Sequence, residues 1–180
     1  MDKSIMPECF ADTLLIETLI PTKIGYNHQT SCTKVEGQMK KGKLKDRFAV
    51  GVIDKDKRQV KYLDEFEVVD KVEGSLILWR HTDKARHHYF IQICPALEAW
   101  ILNICKSEEI DLANFGLNND LAAIAYYTKS QVRVEDKRIK NLFEEINRKD
   151  QNLSVRKLKY WITLLKEKNY HVDIKALQNG

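Results

Sequence analysis

The residues best suited to chemistry in this 180-residue chain are carboxylates at the ends of apolar segments. The clearest is the run Phe48–Ile53 (FAVGVI), which stops abruptly in Asp54-Lys55-Asp56-Lys57-Arg58. Two aspartates one residue apart repel each other unless a cation lies between them. Mg²⁺ takes one or two carboxylates, waters and a substrate phosphate, so Asp54 and Asp56 are candidate ligands for Mg²⁺ or Mn²⁺. A plain Asp- and Lys-rich turn after a strand is the alternative reading. Glu8 lies at the end of a short segment that reads as a strand, Ser4–Cys9, and Asp12 stands just beyond it. If the two strands are neighbours, Glu8 faces the aspartates and is left for general acid–base work. Asp12 also reads as the N-cap of a helix. Glu98, in the first turn predicted after Pro95 (PALEAWIL), is a further acid, although an acid there favours the helix dipole with no other role. Lys55, Lys57 and Arg58 are candidates for neutralising phosphate, or form a solvated turn.

Other chemistries find little support. His81, His87 and His88 have no HxxxH or HxH spacing and read as exposed loop residues. Cys9, Cys32, Cys94 and Cys105 form no CxxC pair and read as reduced, mostly buried thiols. The chain contains no GxSxG, GxGxxG or P-loop sequence.

Positioning these acids requires alternating strands and helices. The spacing predicts a first strand over Ser4–Cys9 and a helix carrying Leu15, Ile16, Leu19 and Ile20 on one face. A second short strand is expected near Asn27–Cys32, a weak helix over Thr33–Gly42 and a short helix over Val60–Phe66. Strands are expected at Phe48–Ile53, Ser75–Trp79 and His88–Cys94, then a helix bearing Leu97, Trp100, Ile101 and Ile104. A continuous apolar run such as FAVGVI suits a strand covered on both faces. From Asn118 onward the pattern is helical: 118–129, 135–149 and 153–169. The fold class expected is α/β, Rossmann-like and mostly parallel. Residues 1–110 form the α/β part, and a helical extension, 111–180, packs on it. In such sheets ligands sit beyond the carboxyl ends of the strands, where Glu8 and Asp54 are expected.

Composition bounds the partners. Hydrophobic residues make up 43% and charged residues 31%, enough to exclude a disordered chain. The longest uninterrupted apolar stretch is seven residues, Leu121–Tyr127, far short of a membrane span. The N-terminus carries no signal-peptide pattern, so a cytoplasmic location is expected. The net charge is a mild +4, but residues 129–168 hold twelve basic against six acidic residues, and residues 34–58 nine against four. These basic stretches are either a hold for nucleic acid or solvated helix faces with mixed charge.

The ordered combination of Glu8 ending the first strand, Asp12 opening a helix and Asp54-x-Asp56 ending an apolar strand resembles the Toprim domain. The PALEAWIL segment is similar to the P-x-x-E-x-W-[IL]-L stretch of small Toprim-like proteins of the RloB kind. The resemblance spans roughly residues 4–105. It implies a compact Rossmann-like sheet and Mg²⁺-dependent phosphoryl-transfer chemistry on nucleic acids, as in topoisomerases, primases and OLD-type nucleases. Glu8 would be the general acid–base, Asp54 and Asp56 the metal ligands, and Asp12 and Glu98 supporting acids. DNA or RNA would be the partner, and any ATPase a separate chain. Two departures stand out: Cys9 replaces the glycine usual after the glutamate, and Arg58 stands where many members have a third acid. They keep a second reading open, that of a catalytically inactive module binding nucleic acid or a partner protein. A small-molecule phosphodiesterase is a third.

Overall fold

The computed structural model describes residues 2–55, 60–130, 136–149 and 151–180. Five strands form one sheet: β1 (Ile5–Pro7), β2 (Ala49–Asp54), β3 (Phe66–Val72), β4 (Leu76–His81) and β5 (His88–Ile93), in the order β1-β2-β5-β4-β3. The helices are α1 (Phe10–Leu19), α2 (Cys32–Lys40), α3 (Leu97–Ser107), α4 (Leu121–Thr128), α5 (Lys137–Arg148), α6 (Leu153–Lys168) and α7 (Ile174–Gln178), with 3₁₀ turns at Lys61–Glu65, Leu112–Phe115 and Asn169–His171.

The α/β class is as expected, but the sheet is mixed rather than mostly parallel. β1, β2 and β5 run parallel, whereas β5-β4-β3 is an antiparallel meander. The connections explain this. A tight turn at Gly74 (φ +68°) joins β3 to β4, closed by Ser75 N–H donating to Val72 O at 2.9 Å. Residues 82–87 alone join β4 to β5. Links this short can only return the chain antiparallel.

Two further expectations are corrected. No strand forms at Asn27–Cys32. That segment instead lies along the outer edge of β1, with Asn27 N–H on Ile5 O and Gln29 N–H on Pro7 O. Conversely, β3 is a strand that the sequence pattern does not announce.

Both faces of the sheet are covered, which is why β2 reads as an unbroken apolar run. On one face Ile5, Val50, Val52 and Ile91 join α1, α3 and the C-terminal helices, including Ile139, Phe143, Leu158 and Trp161, in one continuous core. On the other, Met6, Ala49, Ile53 and Phe90 pack with Val35 and Met39 of α2 and with Tyr62. Gly51 makes that second packing possible. A Cβ there would lie 2.6 Å from the Phe90 ring and 2.7 Å from Val35.

His81 and His88 are buried rather than exposed. His88 bridges the Tyr62 hydroxyl (2.8 Å) and Leu44 O (2.9 Å), and His81 contacts Glu65 and Asp83 N–H. Among the described residues no helix is long and apolar enough to cross a membrane.

Candidate functional site

Parallel pairing of β1 with β2 places their carboxyl ends side by side: Pro7 is opposite Val52, and Glu8 N–H donates to Val52 O at 2.9 Å. Glu8 therefore emerges beside Asp54. The helices that leave this edge bring two more acids. α1 begins directly after Cys9, and α3 begins at Leu97, close enough for Leu97 N–H to donate to Asp54 Oδ1 at 3.0 Å. Glu8, Asp12, Asp54 and Glu98 all line one cavity of about 420 Å³.

Each acid is held differently. Glu8 Oε2 accepts the backbone N–H of Asp54 at 3.0 Å. Glu98 Oε1 accepts the Thr128 hydroxyl at 2.8 Å, which ties α4 to the cavity. Asp12 is not the N-cap of α1. Cys9 is, its sulfur accepting Asp12 N–H at 3.4 Å, while Asp12 Oδ2 reaches back to Cys9 N–H at 3.1 Å. This is a capping box with the acid in its third helical position. Asp12 is 1% exposed, and its other oxygen, Oδ1, is buried with no hydrogen-bond partner among the described residues.

Electrostatics follow from burial and crowding. Burial, with the neighbouring charges of Glu8 and Glu98, pushes the Asp12 carboxyl up to about 7 against the Cys9 hydrogen bonds. Burial again comes first for Asp54, followed by the charges of Asp12, Glu8 and Glu98, and pushes its carboxyl up to about 9. Burial and the Asp12 charge also push the Cys9 thiol far up, which favours its protonated form.

Of the residues expected at the site, Glu8, Asp12, Asp54 and Glu98 converge. Lys55 does not. It is exposed and lines a separate hollow with Val68, Lys71 and Glu73, because successive side chains leaving a strand turn to opposite sides. Asp56, Lys57 and Arg58 lie outside the described residues. The cation on the cavity wall, among the described residues, is instead Lys129. Phe10, His28, Thr30, Thr128 and Ser130 also line the cavity. Sequence reasoning missed them, since none carries a local signal.

Among the described residues no group of three or more His, Cys, Asp or Glu side chains is spaced as a ready metal cage. The donor set is nonetheless all-oxygen at its acidic end. Mg²⁺ retains waters and needs only one or two protein carboxylates. The orphaned Asp12 Oδ1 and the crowding of four acids both fit a hard cation. Asp54 and Asp12, with Glu8 beside them, are the described residues that could hold it.

Compared with family models, curated proteins and solved structures, this chain finds no match.

Proposed function

We propose that the protein is a Mg²⁺- or Mn²⁺-dependent hydrolase of nucleic-acid phosphodiesters, with a Toprim-type arrangement of acids. The observation that carries this reading is Asp12 Oδ1, buried and unpartnered among four converging carboxylates. A protein rarely buries an unsatisfied oxygen in a crowd of acids unless a cation or proton relieves it. A bound divalent ion would supply charge neutralisation at the phosphate and a more acidic water.

The chain's own residues divide the remaining work. Asp54, with Asp56 beyond the described residues, holds the cation. Glu8, fixed by Asp54 N–H, moves the proton. Asp12 is a supporting acid that offers the cation its unpartnered Oδ1, and Glu98 is a further supporting acid. Lys129, Lys57, Arg58 and the basic helices hold the phosphate backbone, DNA or RNA.

The test is cleavage of a plasmid and of oligonucleotides with Mg²⁺ or Mn²⁺ against EDTA. Unmutated protein cleaves only with metal. Glu8→Gln lowers the rate by about 10²–10⁴-fold, the range for a lost acid–base group, and keeps its affinity for nucleic acid, while Asp54→Asn lowers the rate by weakening the hold on the metal. Cys9, which caps α1 where the Toprim pattern has glycine, favours the second reading, a non-cleaving binding module. Salt-sensitive binding with no cleavage under either metal would establish that reading and overturn the hydrolase.

A further inference from the structure

The wall of the cavity has two chemically different halves. One is the set of acids. The other is a stacked pair of rings: Phe10, the first residue of α1, lies against His28 with centroids 3.8 Å apart and planes 23° apart. Both rings line the cavity and both are only part-buried.

The pair is fixed in place. The Thr13 hydroxyl donates to Cys9 O at 2.7 Å, so its one proton is used. His28 Nδ1, 3.2 Å from that same hydroxyl oxygen, must then be the donor. Nδ1 thus carries a proton, and burial, which lowers the ring's basicity, favours the neutral form with that one proton. In that form Nε2 is an acceptor, buried and without a hydrogen-bond partner among the described residues. A stacked aromatic pair therefore lines the same cavity as the acids that could hold a cation and phosphate.

A simple phosphate ester would use only the acidic half. A ligand that uses both halves joins a phosphate to a flat ring. Bases stack readily on aromatic side chains with little regard to sequence, but a base inside a duplex has both faces covered by its neighbours. We propose that this cavity takes one unpaired nucleotide, its base stacked on the Phe10–His28 pair, so that the preferred substrate class is nucleic acid with a single-stranded end or tail rather than continuous duplex. This rests on the phosphodiester reading only in taking nucleic acid as the ligand.

Binding of three oligonucleotides of equal length tests it: a single strand, a duplex with an unpaired tail, and a blunt duplex, with Ca²⁺ replacing Mg²⁺ to slow turnover. A 2-aminopurine at the unpaired terminus reports stacking through loss of its fluorescence. The single strand and the tailed duplex should bind about ten-fold more tightly than the blunt duplex, within the range for one stacked base, with the probe quenched. Phe10→Leu, which keeps apolar bulk, and His28→Gln should each remove most of the preference and the quenching while melting near the unmutated protein. Equal affinity for all three, or a bound but unquenched probe in the unmutated protein, overturns the inference. Tail preference and quenching without cleavage under Mg²⁺ or Mn²⁺ would sink the hydrolase reading and leave this one standing. Metal-dependent cleavage with equal affinity and no quenching would do the reverse.

Discussion

The backbone N–H of Asp54 donates to the carboxylate of Glu8 across 3.0 Å. The last residue of β2 is thus anchored to the exit of β1, and the Asp54 carboxylate then accepts from Leu97 N–H at the start of α3. Three segments distant in sequence are linked through two acids. These bonds add no cation, and burial, together with the charges of Asp12, Glu8 and Glu98, raises the Asp54 carboxyl in the folded protein.

That crowding of acids predicts a stability response to metal. A ligand that binds only the folded state stabilises by about 2.7 kcal/mol at a hundred times its Kd. For a chain of this size that is a rise in Tm of roughly 5–10 °C. Mg²⁺ or Mn²⁺ should raise the Tm in differential scanning fluorimetry. Asp54→Asn should shrink the rise and increase the Tm of the metal-free protein. A Tm indifferent to millimolar metal in the unmutated protein would remove the cation from the site.

The same burial and crowding set a pH dependence. Asp12 and Asp54 are pushed up to about 7 and about 9, above an unfolded value of about 4. Each binds its proton more tightly when folded. Its favourable contribution is complete below about pH 4 and fades as pH rises, ending near pH 7 for Asp12 and pH 9 for Asp54. His28 and His88 work in the opposite sense, since burial lowers both: stability from them grows as pH climbs towards their unfolded value of about 6.5. The comparison with Asp54→Asn isolates the acid. In urea unfolding with EDTA, the advantage of the Asn variant over the unmutated protein should widen steadily from pH 5 to 9. A constant difference would mean that Asp54 is not held above its ordinary range.

The centre of the site was legible because two rules coincide. Apolar runs ending in charge mark strand ends, and parallel neighbours put those ends on one edge, which is where Glu8 and Asp54 meet. The rest depended on tertiary packing. β3 stayed hidden because a bulge between Val68 and Asp70 breaks its alternation, leaving Phe66 and Val69 buried three residues apart, a helical spacing. Asp12 was assigned the cap that Cys9 holds, since cysteine is no usual cap residue. His28 and Thr128 reach the cavity from an irregular segment and a helix end, and nothing nearby in sequence marks either as a site residue.

Gly51 gives a prediction about the frame that carries Asp54. A methyl group added at this position would come within 2.7 Å of both Phe90 and Val35. Gly51→Ala therefore overpacks the second core and should cost about 1–3 kcal/mol. Chemical denaturation would show it. Phe90→Leu in the same chain should recover part of the loss by making room. If Gly51→Ala alone were neutral, close packing at this strand would not be what requires glycine.

Thr128 offers the last test, because it is the described link between α4 and the acids. Its hydroxyl is 2.8 Å from Glu98 Oε1 and 3.2 Å from Ile124 O. With one proton, it is best used on the shorter contact. Thr128 is 4% exposed, so Thr128→Val preserves shape but leaves the Glu98 oxygen without its donor. Glu98 is only part-buried, so water can replace the donor in part, and the expected loss is about 0.5–1.5 kcal/mol, the net range for a typical hydrogen bond. Thr128→Ser restores the hydroxyl and should recover most of it, at the cost of one methyl. A purely structural role would end there. If Glu98 supports the cation-binding acids, Thr128→Val should also reduce the Mg²⁺-induced rise in Tm, while Thr128→Ser keeps it. A Val variant that loses stability yet shows the full metal response would leave Thr128 as a packing residue and take Glu98 out of the cation's surroundings.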